Sequence, residues 1–202
     1  SNYQSNQNNE DNKTIPTILP YITYFSGNNK FYNNNSNNTL EFYNIFRDTP
    51  TDIHAKEQKK LSSKITLNRD LTKYSTKFSF NSEFYNQIFN VTDKKINNNY
   101  VTSNYIRSFP IIGLSAETPF KFKKNIKNLT YIPKLSLVIA PGISNSDKLS
   151  NEDSSINSYG IDNNSNLNRF TGTDKLDNSK RINFSFSVNN DFFDSIFWQS
   201  YE

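Results

Sequence analysis

The chain has 202 residues, a formal net charge of +4 and only 34% hydrophobic residues, yet 15% of its residues are aromatic. Because disordered chains are poor in aromatic residues, the low hydrophobic content does not indicate disorder. The absence of cysteine excludes disulfide frameworks and thiolate metal sites, and a single histidine, His54, leaves the usual histidine-centred acid–base site without its parts. The mild, scattered positive charge is not the basic face that nucleic-acid binding needs.

Alternation of apolar and polar residues dominates the chain after a polar start at residues 1–13, which is predicted to be a loop or a frayed end. The clearest case runs from Tyr74 to Phe84, and period-two alternation is typical of a strand with one apolar and one hydrated face. Further strands are predicted at about 16–26, 38–47, 60–67, 109–122, 131–139, 181–188 and 195–202. The sequence therefore predicts an all-β fold, an antiparallel meander of about eight strands without a helix.

The predicted connections alternate between short and long. Asp70 to Lys73 and Asn190 to Asp194 are tight, whereas Gly142 to Ser179 is a long stretch rich in Asn, Ser and Asp. Short periplasmic turns and long extracellular loops are the signature of an outer-membrane β-barrel. With 142–179 outside the cell, the same alternation predicts further extracellular loops at 48–58 and 90–104, and periplasmic turns at 26–37, 70–73 and 121–129.

Strand alternation alone leaves three architectures open: a membrane barrel, a soluble β-sandwich, and a β-solenoid or fibre. In the barrel, the apolar positions would face lipid; they are Phe78, Phe80, Leu135, Leu137, Phe184 and Phe186. The polar positions would face the lumen, among them Lys77, Asn81, Lys134, Asn183 and Ser185. Basic lumen side chains such as Lys60 and Arg181 could attract a phosphorylated lipid or could simply be hydrated.

Several motifs occur in a specific order and go beyond composition. They are RSFPIIGLSAETPF at 107–120, YIPKLSLVIAPG at 131–142, NEDS at 151–154 and NRFTGTDKLDNSKRINFSFSV at 168–188. Together they resemble the barrel domain of the LptD (OstA or Imp) family of lipopolysaccharide-assembly proteins, especially its alphaproteobacterial branch. The segment LPYITY at 19–24 is similar to an earlier strand of that family. The resemblance covers about 16–202, with Lys175 where the family usually has Arg.

The resemblance implies both a location and a function. Residues 14–202 would be part of a large transmembrane β-barrel of the cell outer membrane, an internal section of its wall, that delivers lipopolysaccharide to the outer leaflet. The implied partners are lipopolysaccharide, an LptE-like plug lipoprotein and an LptA-like periplasmic bridge, which would bind through an N-terminal domain outside this sequence. Neither an enzymatic activity nor a cofactor is expected, because no motif supplies a nucleophile with its base. The alternative is a soluble β-sandwich binding module, for example one that binds carbohydrate.

Candidate site residues cluster in the long loop and at the start of the strand that follows it. Asn151, Glu152, Asp153 and Ser154 are predicted either to cap the loop by Asx-type hydrogen bonds or to contact lipopolysaccharide through a divalent cation. Arg169 and Asp174 are predicted to form either an ion pair that pins the loop or a solvated surface pair that contributes little. Gly172 is predicted to allow a turn with positive φ, and Phe170 to be a packing anchor. The motif positions Asn168 and Arg181 complete the set.

Overall fold

One antiparallel sheet accounts for every strand in the computed structural model, which describes residues 12–27, 29–31, 34–122, 129–154 and 166–202. A 3-10 turn at Asn12–Thr14 precedes the strands. In chain order the strands are β1 (Thr17–Phe25), β2 (Asn29–Phe31), β3 (Asn34–Phe46), β4 (Glu57–Lys73), β5 (Thr76–Ile96), β6 (Asn99–Glu117), β7 (Phe120–Phe122), β8 (Leu129–Ile139), β9 (Lys180–Asn189) and β10 (Asp194–Tyr201). No helix among these residues is long and apolar enough to cross a membrane.

The strands pair in the order β1-β3-β4-β5-β6-β8-β9-β10, while β2 adds to β3 and β7 adds to β8. Strands β1 and β10 are the two edges, so the sheet is open. The predicted all-β antiparallel meander is therefore confirmed, with two short strands in addition to the eight expected. The β-sandwich alternative is wrong, because the described residues form no second sheet that could cover the apolar face.

The three central strands are longer than the sequence predicts. Strands β4, β5 and β6 contain 17, 21 and 19 residues. The predicted loop at 90–104 is wrong: β5 continues to Ile96, and only Asn97 and Asn98 separate it from β6. The alternation of polar and apolar residues is weaker there. Gln87, Phe89 and Val91 lie on one face of β5, and Ile88 and Asn90 lie on the other, so that each face has both polar and apolar residues.

Two of the predicted turns differ from the observed connections. β4 continues to Lys73, which pairs with Thr76, so the turn is Tyr74–Ser75 and not 70–73. Both turn residues have positive φ, 51° and 64°. A two-residue type I′ turn requires this, and such a turn matches the right-handed twist of the two strands. The predicted 26–37 turn is also wrong in extent, because β2 and the start of β3 pair with each other inside it.

Replacing Ser75 with glycine is expected to stabilise the protein by roughly 1 kcal/mol, because a left-handed backbone is strained for a residue with a Cβ and not for glycine. Urea unfolding of the full-length protein in detergent would measure the effect. Glycine at Ser79, inside β5, is the matched control and should be neutral or destabilising.

The two faces of the sheet differ in chemistry. The outer face, as we call it, carries exposed Phe78, Phe80, Leu135, Leu137 and Phe184, and Phe186, which packs on Phe197 with ring centroids 4.8 Å apart. The opposite, inner face carries Lys77, Asn81, Lys134, Asn183 and Ser185. The register aligns these sets across strands, since Phe78 pairs with Ala116 and Ala116 pairs with Leu135.

The buried core lies on the inner face, between the sheet and residues 140–154 and 166–179, which we call the covering loop. One cluster joins Tyr85, Phe109, Ile111 and Val138 of the sheet to Ala140, Leu167 and Leu176 of the loop. A second joins Ala55, Phe89 and Val91 to Leu149. A Cβ on Gly113 would collide with the side chain of Leu167, so glycine lets the loop lie directly against β6.

Candidate functional site

A buried lysine on β4 forms the centre of the polar contacts between the sheet and the covering loop. The side chain of Lys60 is fully buried, and its Nζ donates hydrogen bonds to Asp153 Oδ2 at 2.8 Å, Asp174 Oδ1 at 2.9 Å and Thr173 Oγ1 at 2.6 Å. Its ammonium group also lies 5.0 Å from the ring centroid of Tyr43. Lys60 is therefore neither hydrated nor available to a lipid phosphate, because the loop carboxylates already neutralise it.

The carboxylate of Asp174 accepts hydrogen bonds from both the sheet and the loop. Besides Lys60, its carboxylate accepts hydrogen bonds from the Tyr43 hydroxyl at 2.9 Å and the backbone N–H of Glu152 at 2.7 Å. Gln58 Nε2 also lies 3.4 Å from its Oδ2. Donors from β3, β4 and the NEDS segment thus converge on one carboxylate, which joins both halves of the covering loop to the sheet.

Asp153 connects the two halves of the covering loop directly. Its Oδ1 accepts hydrogen bonds from the backbone N–H groups of Thr173 at 3.0 Å and Asp174 at 2.8 Å. A Cβ on Gly172 would collide with the backbone carbonyl and carboxylate of Asp153. The prediction of a positive φ at Gly172 is wrong, since only Gly27 and Gly142 have it among the described glycines. The glycine is required by close approach instead.

Glu152 forms a second ion pair with the sheet's rim. Arg47, just after β3, binds it through two hydrogen bonds, Nη2 to Oε2 at 2.5 Å and Nη1 to Oε1 at 3.0 Å, and the hydroxyl of Ser150 also donates to Oε1. His54 Nδ1 lies 3.5 Å from Oε2. Burial by itself would raise the pKa of Glu152, but the nearby His54 and the hydrogen bonds from Arg47 and Ser150 outweigh it and lower the pKa to about 2.

Acidification is expected to loosen this part of the loop. A pKa of about 2 against the ordinary 4.5 means that the folded state favours ionised Glu152, a contribution of roughly 3 kcal/mol that is complete above pH 4.5 and lost as the pH falls towards 2. Proteolysis of the covering loop at pH 6 and pH 3 would measure it. In the Glu152→Gln variant, the rate of proteolysis should differ less between the two pH values. Some pH dependence of this rate should remain, because the pKa values of Asp153 and Asp177 are also lowered.

Arg107, on β6, holds the loop through backbone carbonyls. Its Nη2 donates to Thr173 O at 2.7 Å and Asp174 O at 3.0 Å, and its Nε donates to Gln87 Oε1 at 2.8 Å. Asn145 completes the arrangement, because its side chain exchanges two hydrogen bonds with the backbone of Leu176, both at 2.9 Å. Arg107 is the first residue of the motif at 107–120, but the sequence did not indicate that it binds the backbone of Thr173 and Asp174.

A separate ionic cluster lies at the base of the loop, beside β9. Asp177 accepts from Arg169 Nε at 2.5 Å and Arg181 Nη1 at 2.8 Å, while Arg169 Nη1 lies 2.5 Å from Glu202 Oε1. The predicted Arg169–Asp174 pair is therefore wrong: Asp177 takes the arginine because Asp174 is already occupied by Lys60. Burial would raise the pKa of Asp177, but the hydrogen bonds from Arg169 and Ser179 and both arginine charges lower it.

The remaining predicted residues shape the loop locally. Asn151 Nδ2 donates to Ser154 O at 2.7 Å, and Ser154 N–H donates back to Asn151 Oδ1 at 3.1 Å. Asn168 Oδ1 accepts the Asp177 N–H at 3.0 Å. Phe170 is half-buried and lies outside both hydrophobic clusters, at the side of a cavity of about 660 Å³ that Lys94, Lys175 and Asn145 also line.

The site residues that sequence reasoning missed are those contributed by the sheet. Tyr43, Arg47, Gln58, Gln87 and Arg107 are all buried, and all are polar residues at alternate positions of strands or their ends. That alternation was a usable signal for the inner face, but it could not show that the loop folds back onto these side chains. Among the described residues, no group of three or more His, Asp or Glu is placed to hold a metal.

Comparison with known proteins agrees with the motifs. The family model described as "LptD: LPS transport system D" matches residues 1–199. A search of curated proteins gives no match. The matched region contains the whole sheet up to Gln199 of β10 and the whole covering loop.

Proposed function

This chain belongs to the LptD family of lipopolysaccharide transport proteins, and on that premise we propose that its sheet is a section of an outer-membrane barrel wall that inserts lipopolysaccharide into the outer leaflet. The family is one of outer-membrane transport and assembly proteins rather than of enzymes. The proposal also includes the partners expected from the resemblance, an LptE-like plug in the lumen and an LptA-like bridge on the periplasmic side.

The observation that carries the proposal is the apolar band, the outer-face positions of β4 from Leu61 to Leu71 and their neighbours on β5, β6 and β8. Exposed side chains include Leu61, Leu67, Phe84, Ile88 and Leu114. Ten residues at about 3.4 Å each, on a strand tilted by about 40°, rise about 26 Å. This matches the apolar height of about 25 Å that outer-membrane barrels present to lipid.

The orientation follows from the connections. The Tyr74–Ser75 turn and the Asn190–Phe193 turn lie at one end of the sheet. Both long connections, residues 47–56 and the covering loop, lie at the other end, together with the two-residue Asn97–Asn98 turn. Short turns are periplasmic and long loops extracellular in such barrels. Beyond the apolar band, towards the long loops, Lys59, Asn90 and Asn104 occupy the outer face, as expected for the part above the bilayer.

The covering loop determines what we propose for the inner face, which would line the lumen of the barrel. It lies across the inner face near the extracellular end, held by the Lys60 and Asp177 clusters. We expect it to narrow the lumen beside the path of lipopolysaccharide and to hold the strands of the wall in a fixed curvature. Lipopolysaccharide insertion would then depend on the loop remaining docked.

The experiment replaces both Asp153 and Arg169 with alanine in the full-length protein in cells. Loss of their contacts should impair lipopolysaccharide assembly and increase the entry of a large antibiotic that the intact outer membrane excludes. Asp147→Ala, at an exposed position of the same loop, is the control and should leave the barrier unchanged. Normal protein levels with an unchanged barrier in the double variant would refute the role of the loop.

A further inference from the structure

One charged side chain interrupts the apolar band. Arg69 lies on the outer face of β4 between Leu67 and Leu71 and is paired with Phe80 on β5. It is the only charged residue among the outer-face positions of the band in β4, β5, β6 and β8. Its side chain is exposed, and no hydrogen bond or ion pair joins its guanidinium to the part of the chain that the structure describes. An unpaired cation on a lipid-facing surface requires an anion from its surroundings.

A groove in the same surface adjoins Arg69. Ala116 of β6 stands between Phe78 of β5 and Leu135 of β8 in the register, so a small side chain is flanked by two large ones. The depression that results has a volume of about 440 Å³, and its walls are almost entirely apolar. Phe80, Leu114 and Leu137 extend it by one further row, next to Arg69. The groove is thus a channel for a chain of methylenes that ends at a guanidinium.

We propose that this groove binds one acyl chain of a glycerophospholipid of the inner leaflet, whose phosphate accepts hydrogen bonds from Arg69. Arginine forms strong, charge-assisted bonds to phosphate, and its stem can lie along apolar surface while its head reaches the headgroup level. Arg69 lies four residues from Lys73, the end of β4, or about 10 Å along the bilayer normal. This places it near the interface on the side of the tight turn.

The choice of lipid rests on the orientation given under the proposed function. The tight-turn end faces the periplasm, so the adjoining leaflet is the inner one, which glycerophospholipids form. A single guanidinium also suits a single phosphodiester better than the two phosphates of lipid A. Aromatic side chains at the same end support an interface there, since Tyr131, Phe186 and Phe197 pack in a row on the outer face.

The test is native mass spectrometry of the full-length protein in detergent, titrated with phosphatidylglycerol and, separately, with lipid A. The Arg69→Gln variant is expected to bind phosphatidylglycerol about tenfold more weakly, as the loss of a charge-assisted hydrogen bond implies. Arg69→Lys should keep most of the affinity. Ala116→Leu, which fills the groove and leaves Arg69 in place, should also weaken binding.

Lys59→Gln is the matched control, because Lys59 lies on the outer face of the same strand but beyond the apolar band. Equal binding by the Arg69→Gln and Lys59→Gln variants would overturn the proposal, as would tighter binding of lipid A than of phosphatidylglycerol at this site. Membrane insertion of each variant is checked first. In an inserted protein, side chains of the outer face should not react with a water-soluble labelling reagent. Failed insertion of the unaltered protein would refute the proposed function itself, whereas insertion without retained lipid would refute only the lipid site.

Discussion

Replacing Asp174 with alanine should detach the covering loop from the sheet and destabilise its docking by about 3–5 kcal/mol, the usual cost of removing one partner of a buried ion pair. The variant would leave Lys60, which is fully buried, with Asp153 as its nearest carboxylate. It would also leave the hydroxyl of Tyr43 and the N–H of Glu152 without their acceptor. Hydrogen exchange of the loop backbone in the detergent-solubilised full-length protein would measure the loss.

The control for this substitution is Asp147→Ala, at an exposed position of the same loop, which should leave the exchange pattern unchanged. A second variant, Lys60→Met, separates charge from packing, because it removes the cation and keeps an unbranched apolar side chain of similar length. Its cost should also be large, since Asp174 and Asp153 would then be buried together without their cation. Protection of residues 166–179 equal to that of the unaltered protein in the Asp174 variant would contradict the assignment.

Arginine at Phe84 should be the most costly single substitution on the outer face, at roughly 2–4 kcal/mol. Phe84 pairs with Ile65 and Pro110, between the Leu61 and Leu71 rows, and therefore lies near the centre of the apolar band. Phe80→Arg should cost less, because Phe80 lies beside Arg69 and near the interface. Unfolding in urea from lipid vesicles would give the free energies of the full-length protein.

Asn81→Arg is the inner-face control for this series, because Asn81 neighbours Phe80 in the chain but points to the opposite side of the sheet. The expected order of destabilisation is Phe84→Arg, then Phe80→Arg, then Asn81→Arg. Equal costs for Phe84→Arg and Asn81→Arg would show that the outer face does not contact lipid. The depth dependence is the informative result, since a soluble protein would show none.

Much of the fold could be predicted from the sequence where a strand has one apolar and one polar face. Phe78, Phe80 and Phe84 alternate cleanly with polar residues because the outer side of β5 is exposed and apolar while its other side is polar. The prediction failed over 90–96, because there the inner face turns apolar as Phe89 and Val91 pack on the covering loop. Alternation cannot identify a strand when distant residues cover its polar face.

The candidate site was predicted only as a set of motif residues, without its partners. Asp153, Asp174 and Arg169 all form ion pairs in the structure, but the pairing of Arg169 with Asp177 rather than Asp174 depends on the position of Lys60. No spacing within the loop contains that information, because Lys60 lies on β4. Buried polar contacts across a fold are set by its topology, and only the residues adjacent in the chain, such as Asn151 and Ser154, could be paired from the sequence.

The separation along the chain of the contacts made by Asp174 has a consequence for the order of folding. Its partners Lys60 and Tyr43 are 114 and 131 residues away, whereas β4, β5 and β6 are joined by two-residue turns. Closing a short hairpin costs little conformational entropy, and contacts between distant residues form late. The covering loop can therefore dock only after β3 to β6 have paired, so its ion pairs form last and report that this part of the sheet has been correctly assembled.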